Sequence, residues 1–329
     1  MVLTVKMTLI VAVGVFLASF MDAIAGGGGI ISVPTYLLAG VPMHMALGTN
    51  KVSSGIGTAV STARFIKNGY IDWKLGIPSV ALALVGSFAG TSIQLMIDEV
   101  YLQYLLLIVL PVVAFVVLRQ RQFPEERGEI DRRKQCAIVW LASFVVGAYD
   151  GFYGPGTGTF LLLIYCNLAK MDVRTAGGNV KLVNLSSNIG AFVTSLRSGQ
   201  VFLVLGLIGA VTSIAGHYVG SGLAIKNGSK IVRPTVVIVL ILLALFGKFF
   251  GNDRRVYCWT IGLTLLAALY DLLRTLPEGL RAGLHLDGAL RAVGGVLPLS
   301  SQGLGWICPA ALGLVIGLIA HFAGRRKAA

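Results

Sequence analysis

Charge is scarce in this chain. Asp, Glu, Lys and Arg make up 12% of its 329 residues, whereas soluble domains carry about 25%, and the shortage excludes an ordinary water-facing surface. Acidic residues are the scarcer sign, 14 against 27 Lys plus Arg, for a formal net charge of +13. In a soluble domain such an excess would point to nucleic acid. Here the basic residues gather in short stretches between apolar runs, the positive-inside pattern of a membrane protein, which excludes a nucleic-acid partner. Cysteine is as sparse. Cys136, Cys166, Cys258 and Cys308 lie far apart without C-x-x-C or other ligand spacing, so neither a disulfide framework nor a zinc site is expected. No Walker A, H-E-x-x-H or G-x-S-x-G sequence occurs. ATP-driven transport and hydrolysis therefore have no support, and no enzyme activity, catalytic residue, metal ligand or cofactor is assigned. The apolar run at residues 9–20 leads into the first copy of a repeat and reads as a retained first span rather than a secretory signal.

What the chain has instead is apolar sequence: 56% hydrophobic residues and a mean hydropathy of +0.82. This is the composition of an integral membrane protein whose solvent is the lipid bilayer. Apolar segments run at about 7–25, 30–40, 52–66, 75–97, 101–118, 136–150, 158–169, 180–196, 201–225 and 231–250. A full helical span needs about 20 residues, so the segments at 30–40 and 158–169 are expected to be re-entrant or half-spanning. Gly26, Gly27, Gly28 and Gly29 precede the first of them, and Gly154, Pro155, Gly156 and Gly158 the second. Neither stretch holds a regular helix cheaply, and both are expected to act as hinges. Broken backbone at membrane depth persists only where protein buries it or it lines a wet cavity.

The two breaks belong to a repeat. DAIAGGGG begins at Asp22 and AYDGFYGPGTG carries its counterpart at Asp150; Asn50 and Lys51 answer Asn179 and Lys181, Gly69 answers Gly199, and Gly86 with Gly90 answer Gly216 with Gly220. From Lys51 onward these correspondences share one constant spacing. Loop charge reverses between the copies: Arg64, Lys67 and Lys74 face a lone Arg197, Asp98 and Glu99 face Lys226, Lys230 and Arg233, and a stretch without basic residues at 40–50 faces Lys170 and Arg174. Reversed bias predicts copies of opposite topology, with the amino terminus outside and the 64–74 loop inside. The expected fold is an all-α polytopic membrane protein, an inverted-topology internal repeat with broken or re-entrant helices in each half. Residues 1–118 form the first repeat, 119–134 a cytoplasmic linker of mixed charge, 135–250 the second repeat, and 251–329 an extra membrane-associated segment. Within the last, residues 276–296 carry Glu278, Arg281, Asp287 and Arg291, too much charge for a span, and are expected along the interface.

The phrase DAIAGGGGIISVPTYLLAGVPMHMALGTNKVSSGIGTA, followed by RFIKNGYIDW, resembles the first signature of the sulfite exporter TauE/SafE family of membrane transporters. GAYDGFYGPGTGTF with NVKLVNLSSNIGA resembles the second. The resemblance covers residues 5–250 and implies a multi-pass carrier of the bacterial inner membrane, with sulfite, sulfoacetate or related small anions among the family's substrates. In the tail, LTLLAALYDLL and LPLSSQGLGWICPAALGLVIGL resemble the carboxyl end of the branched-chain amino acid carrier family.

The residues themselves point the same way. An anion crossing hydrocarbon needs fixed positive potential, which Lys side chains and the amino ends of half-helices supply. Lys51 and Lys181 are expected at the starts of apolar helices, with Asn50, Ser53, Asn179, Asn184 and Asn188 replacing water around the anion's oxygens. Asp22 and Asp150 end apolar helices just before the glycine breaks, where a carboxylate must be paired or face a cavity. Two readings stay open: Asp22 pairs with Lys51 and Asp150 with Lys181 to hold each hairpin closed, or the aspartates gate and couple transport directly. His217 either relays protons or packs in a hydrogen-bonded site. The glycine pairs are expected to let helices approach closely. The leading function is a secondary carrier that exports or exchanges a small sulfur-containing anion such as sulfite or an organosulfonate. Against it stand a passive anion channel and a membrane sensor or assembly subunit. Its partners are the anion and the bilayer, and a homo-oligomer is left open.

Overall fold

The computed structural model describes residues 3–103, 105 and 124–228, all within one compact unit. The segments at 106–118 and 231–250, residues 119–123 of the linker and the tail at 251–329 lie outside the described residues. Within the described residues the chain is helical, without strands. It forms α1 (Val5–Ala25), α2 (Gly29–Leu38), α3 (Met43–Lys67), α4 (Trp73–Gln94), α5 (Arg132–Phe152), α6 (Thr157–Asn167), α7 (Val173–Arg197) and α8 (Leu203–Asn227). Four of these, α1, α4, α5 and α8, are long and apolar enough to cross a membrane, while α2 and α6 are apolar but short.

Local chemistry sets the helix ends. Thr4, Asp72, Asp131 and Asp172 each accept a hydrogen bond from a first-turn amide of α1, α4, α5 and α7, meeting donors that no preceding turn can satisfy. The inner helices stop in matching ways: Gly69 follows α3 at φ +74° and Gly199 follows α7 at φ +69°. In both, the residue after the glycine donates back to a carbonyl in the last turn, Tyr70 to Phe65 and Gln200 to Ser195. This is the left-handed glycine stop, and it explains why these two glycines recur in the repeat.

α3 and α7 begin about two turns earlier than the apolar pattern predicts. The helix continues through His44–Lys51 and Arg174–Lys181 because those polar side chains face protein, and lipid never tests them. Lys51 and Lys181 accordingly lie well inside their helices and not at the starts, which corrects the expectation above. The two inner helices cross in opposite directions, with Phe65 at the end of α3 near Gly177 at the start of α7, and Gly48 against Ser195.

Outer helices pair across the halves. α4 packs most extensively on α5 and α1 on α8, while α3 adjoins α8 and α7 adjoins α4. The recurring glycine pairs make this possible. A Cβ at Gly86 or Gly90 would run into the carbonyls of Phe144 or Ala148 on α5; one at Gly216 or Gly220 would run into those of Phe16 or Phe20 on α1. Backbones touch at equivalent places in both halves, as small residues permit in a bundle where lipid supplies no hydrophobic drive.

Candidate transport site

The two glycine breaks meet each other. Residues 26–29, between α1 and α2, lie against residues 154–158, between α5 and α6: a Cβ on Gly26 would strike the backbone of Gly158 and Thr159, and one on Gly29 would come within 3.1 Å of Pro155. Thr159 Oγ1 donates to the Ala25 carbonyl at 3.1 Å across the junction. Four helix ends therefore converge at one point, the carboxyl ends of α1 and α5 and the amino ends of α2 and α6.

Each aspartate bridges its own break. Gly28 N donates to Asp22 Oδ1 at 2.9 Å, tying the end of α1 to the start of α2. Asp150 Oδ1 accepts from Thr157 Oγ1 at 2.9 Å, and its Oδ2 from Ser187 Oγ at 2.6 Å. The lysines come from the opposite halves. Lys51 Nζ lies 3.0 Å from Asp150 Oδ2 and donates to the Asp150 carbonyl at 2.7 Å; Lys181 Nζ lies 2.8 Å from Asp22 Oδ2 and also donates to the Asp22 carbonyl. The expected pairing within each half is thus overturned, because α3 carries Lys51 past the second break and α7 carries Lys181 past the first. Both lysines are buried, at 5% and 3% exposure. Each sits where unsatisfied carbonyls and the negative end of a helix dipole favour a cation. At this depth an ion pair is far more costly to break than at a surface.

Among the other expected residues, Asn184 is brought to the junction, its Nδ2 facing Gly158, where a Cβ would come within 3.0 Å. Asn50 and Ser53 are occupied locally: Asn50 Oδ1 accepts from Ser54 and its carbonyl from Ser53, whose hydroxyl accepts from Tyr36. Asn179 donates to the Thr175 carbonyl at 2.9 Å and faces α4 near Gly76. Asn188 lies near Gly55 of α3. Among the described residues, Asn179 Oδ1, Asn184 Oδ1 and His217 Nδ1 are buried without a partner, and no cluster of His, Cys, Asp and Glu suited to a metal occurs. Thr157, Thr159 and Ser187 escaped the sequence reading. The signal that could have found the threonines is their place in GPGTGTF, in the turn that follows the second acidic residue.

A pocket of about 30 Å³, room for one or two waters, reaches the junction from one side; Phe65, Arg174, Ala224, Lys181, Gly26 and Gly158 line part of it. By the repeat spacing, Arg174, Gly177 and Ala224 correspond to His44, Leu47 and Gln94. There Leu47 is buried, and His44 is hydrogen-bonded to Gln94 through its ring and to Glu99 through its backbone amide at 3.2 Å.

Among the described residues, an all-helical bundle with four helices able to cross a membrane and two crossed ion pairs at a doubly broken centre is consistent with a polytopic membrane transporter. The sulfite exporter TauE/SafE profile matches residues 10–247, and the chain belongs to that family. The tail matches a second profile, branched-chain amino acid transport protein, over residues 230–323. Similar proteins include the probable membrane transporter protein ORF9 of a Sinorhizobium species, 33% identical over 71% of this chain and 89% of its own. A probable membrane transporter protein of Haemophilus influenzae is 32% identical over 68% and 88%. The probable membrane transporter protein YfcA of Escherichia coli K12 is 30% identical over 74% and 90%. No solved structure matches the chain.

Proposed function

We propose that the protein is a secondary carrier of a small sulfur-containing anion, sulfite or an organosulfonate, in the bacterial inner membrane. The observation that carries this reading is the crossed pairing of Lys51 with Asp150 and Lys181 with Asp22 where the two glycine breaks meet. An anion arriving at the junction competes with a carboxylate for the same ammonium, so binding loosens a contact that joins the halves. That competition links occupancy to movement of one half against the other. A pocket leading to Lys181, with the corresponding positions near Lys51 filled by Leu47 and by the contact of His44 with Gln94, supports alternating access over a continuous pore. Proteoliposomes holding the purified protein are expected to take up sulfite with saturation and to show counterflow against preloaded sulfite. Non-saturating flux would indicate a channel, and no substrate-dependent flux a sensor or assembly subunit.

The same reading makes the halves, residues 1–118 and 135–250, an inverted repeat about this centre, with 119–134 a cytoplasmic linker. The opposed directions of α3 and α7 support it, as do the reversed loop charges. Single cysteines at Asn68 and Ser198, which end α3 and α7, are expected to react with a membrane-impermeant maleimide from opposite faces. Labelling from one face sinks the inverted arrangement.

A further inference from the structure

The two crossed pairs differ in the group that attends the second carboxylate oxygen. His217, on α8 and 1% exposed, places Nε2 3.8 Å from Asp22 Oδ2, while its Nδ1 has no partner among the described residues. The ring fits because α3 has Gly57 there: a Cβ on Gly57 would strike the imidazole and Ser213. In the other half the corresponding positions are Ser87 and Ser187. Ser87 donates to the Ser187 carbonyl, and the Ser187 hydroxyl donates to Asp150. One aspartate is thus attended by a hydroxyl, which carries no charge, and the other by an imidazole, which is able to carry one.

We propose that Asp22, Lys181 and His217 form a proton site that couples anion movement to proton movement, His217 taking up one proton as an anion binds beside Lys181 and releasing it when the anion leaves. The inference rests on the carrier reading above and names its coupling ion. With His217 neutral, the carboxylate and ammonium cancel and the trio has no net charge. A proton added at the buried, unpartnered Nδ1, with Nε2–H directed toward Asp22, makes it singly positive, the charge that a monovalent anion neutralises. Proton and anion then stabilise each other's binding by the same factor.

Charged groups on the packed elements leave this account intact. α1 contributes Asp22, and α7 contributes Lys181 and, two turns earlier, Arg174, which lines the same pocket and is bonded to the Ile225 carbonyl of α8 at 3.2 Å. On α3 the cation nearest this stretch of α8 is Arg64, which is held over the Tyr218 ring at 4.3 Å and bonded to the Tyr218 carbonyl. Lys51 is engaged with Asp150, and Lys226 lies beyond two further turns of α8. Asp22 is the most accessible member, 16% exposed at its side chain, and the pocket reaches its partner Lys181.

The test is sulfite accumulation in proteoliposomes under an imposed pH difference, with wild type, H217N, H217Q and H217K compared side by side so that sulfite's own titration cancels. One-to-one coupling allows up to about tenfold accumulation per unit of pH difference. The expected result is that wild type approaches this ratio on the alkaline side, and that every variant retaining counterflow loses it. Wild-type counterflow without a pH response overturns the proton site and leaves the carrier standing. An unchanged response in the variants overturns it too, as does loss of counterflow in all three, which makes His217 structural. Absence of sulfite flux in wild type sinks the carrier reading and the proton site together.

Discussion

Lys51→Met is expected to abolish transport and to destabilise the protein by about 3–5 kcal/mol, because it leaves the Asp150 carboxylate buried with two hydroxyl donors and no cation. Lys181→Met does the same to Asp22, softened by the greater exposure of that carboxylate. The informative experiment is the choice of second substitution. Asp150→Asn added to Lys51→Met removes the stranded charge and should restore most of the thermal stability. Asp22→Asn added to Lys51→Met strands Lys181 as well and should lower it further. The double-mutant cycle for positions 51 and 150 is therefore expected to show strong coupling and that for 51 and 22 near-additivity. Neither double variant should transport, since each lacks a cation that the anion needs. Lys51→Arg should recover stability better than flux, a planar guanidinium being a poor substitute for a compact ammonium between a carboxylate and a carbonyl. Thermal unfolding of the purified variants, read beside sulfite flux, decides it. Rescue by Asp22→Asn and not by Asp150→Asn would refute the crossed pairing.

Gly26→Ala is the second large effect. Gly26 sits at φ +74°, where an alanine carries about 1–3 kcal/mol of backbone strain. Its Cβ would also strike the backbone of Gly158 and Thr159, and backbone cannot rotate away as a side chain can. Overpacking adds about 1–3 kcal/mol more, and its only relief is to part the two breaks, which separates Lys181 from Asp22. Gly69→Ala is the comparison: its φ is likewise +74° and nothing lies within 4 Å of its Cβ. Gly26 also has ψ 172°, a region essentially reserved for glycine, so a larger stability loss at Gly26 follows from the backbone alone and the loss of flux is what tests the contact. The Gly69 variant should show the strain alone and keep its flux. If the two variants lose equal stability and both transport, the contact between the breaks does not matter to function.

Much of the fold was legible in the chain because the bilayer simplifies the reading. Hydrocarbon demands long apolar helices with internally satisfied backbones, so α1, α4, α5 and α8 were visible as apolar runs, and α2 and α6 as runs too short to cross. The glycine breaks were visible because four glycines in succession have no other use at membrane depth. The starts of α3 and α7 were hidden. A polar helix turn facing protein looks, in sequence, like a polar loop facing water, and only the neighbours tell them apart. The hydrogen bond that Ser53, expected among the anion's ligands, accepts from Tyr36 was hidden in the same way.

Sequence by itself determined that this is a membrane protein with two glycine breaks, each after an aspartate, and with two lysines at matching spacing beyond them. These are properties of composition and spacing, and they are set along the chain. Which lysine meets which aspartate was decided only by tertiary structure. The repeat suggests pairing within a half, but the breaks pack on each other and the inner helices cross in opposite directions, so each lysine is delivered to the other half's carboxylate. The same holds for His217, an apolar-segment histidine until Gly57 of another helix makes the space that sets it beside Asp22. Contact between residues distant in sequence depends on how helices cross, and crossing is settled by the fit of whole helix faces, which no local pattern encodes.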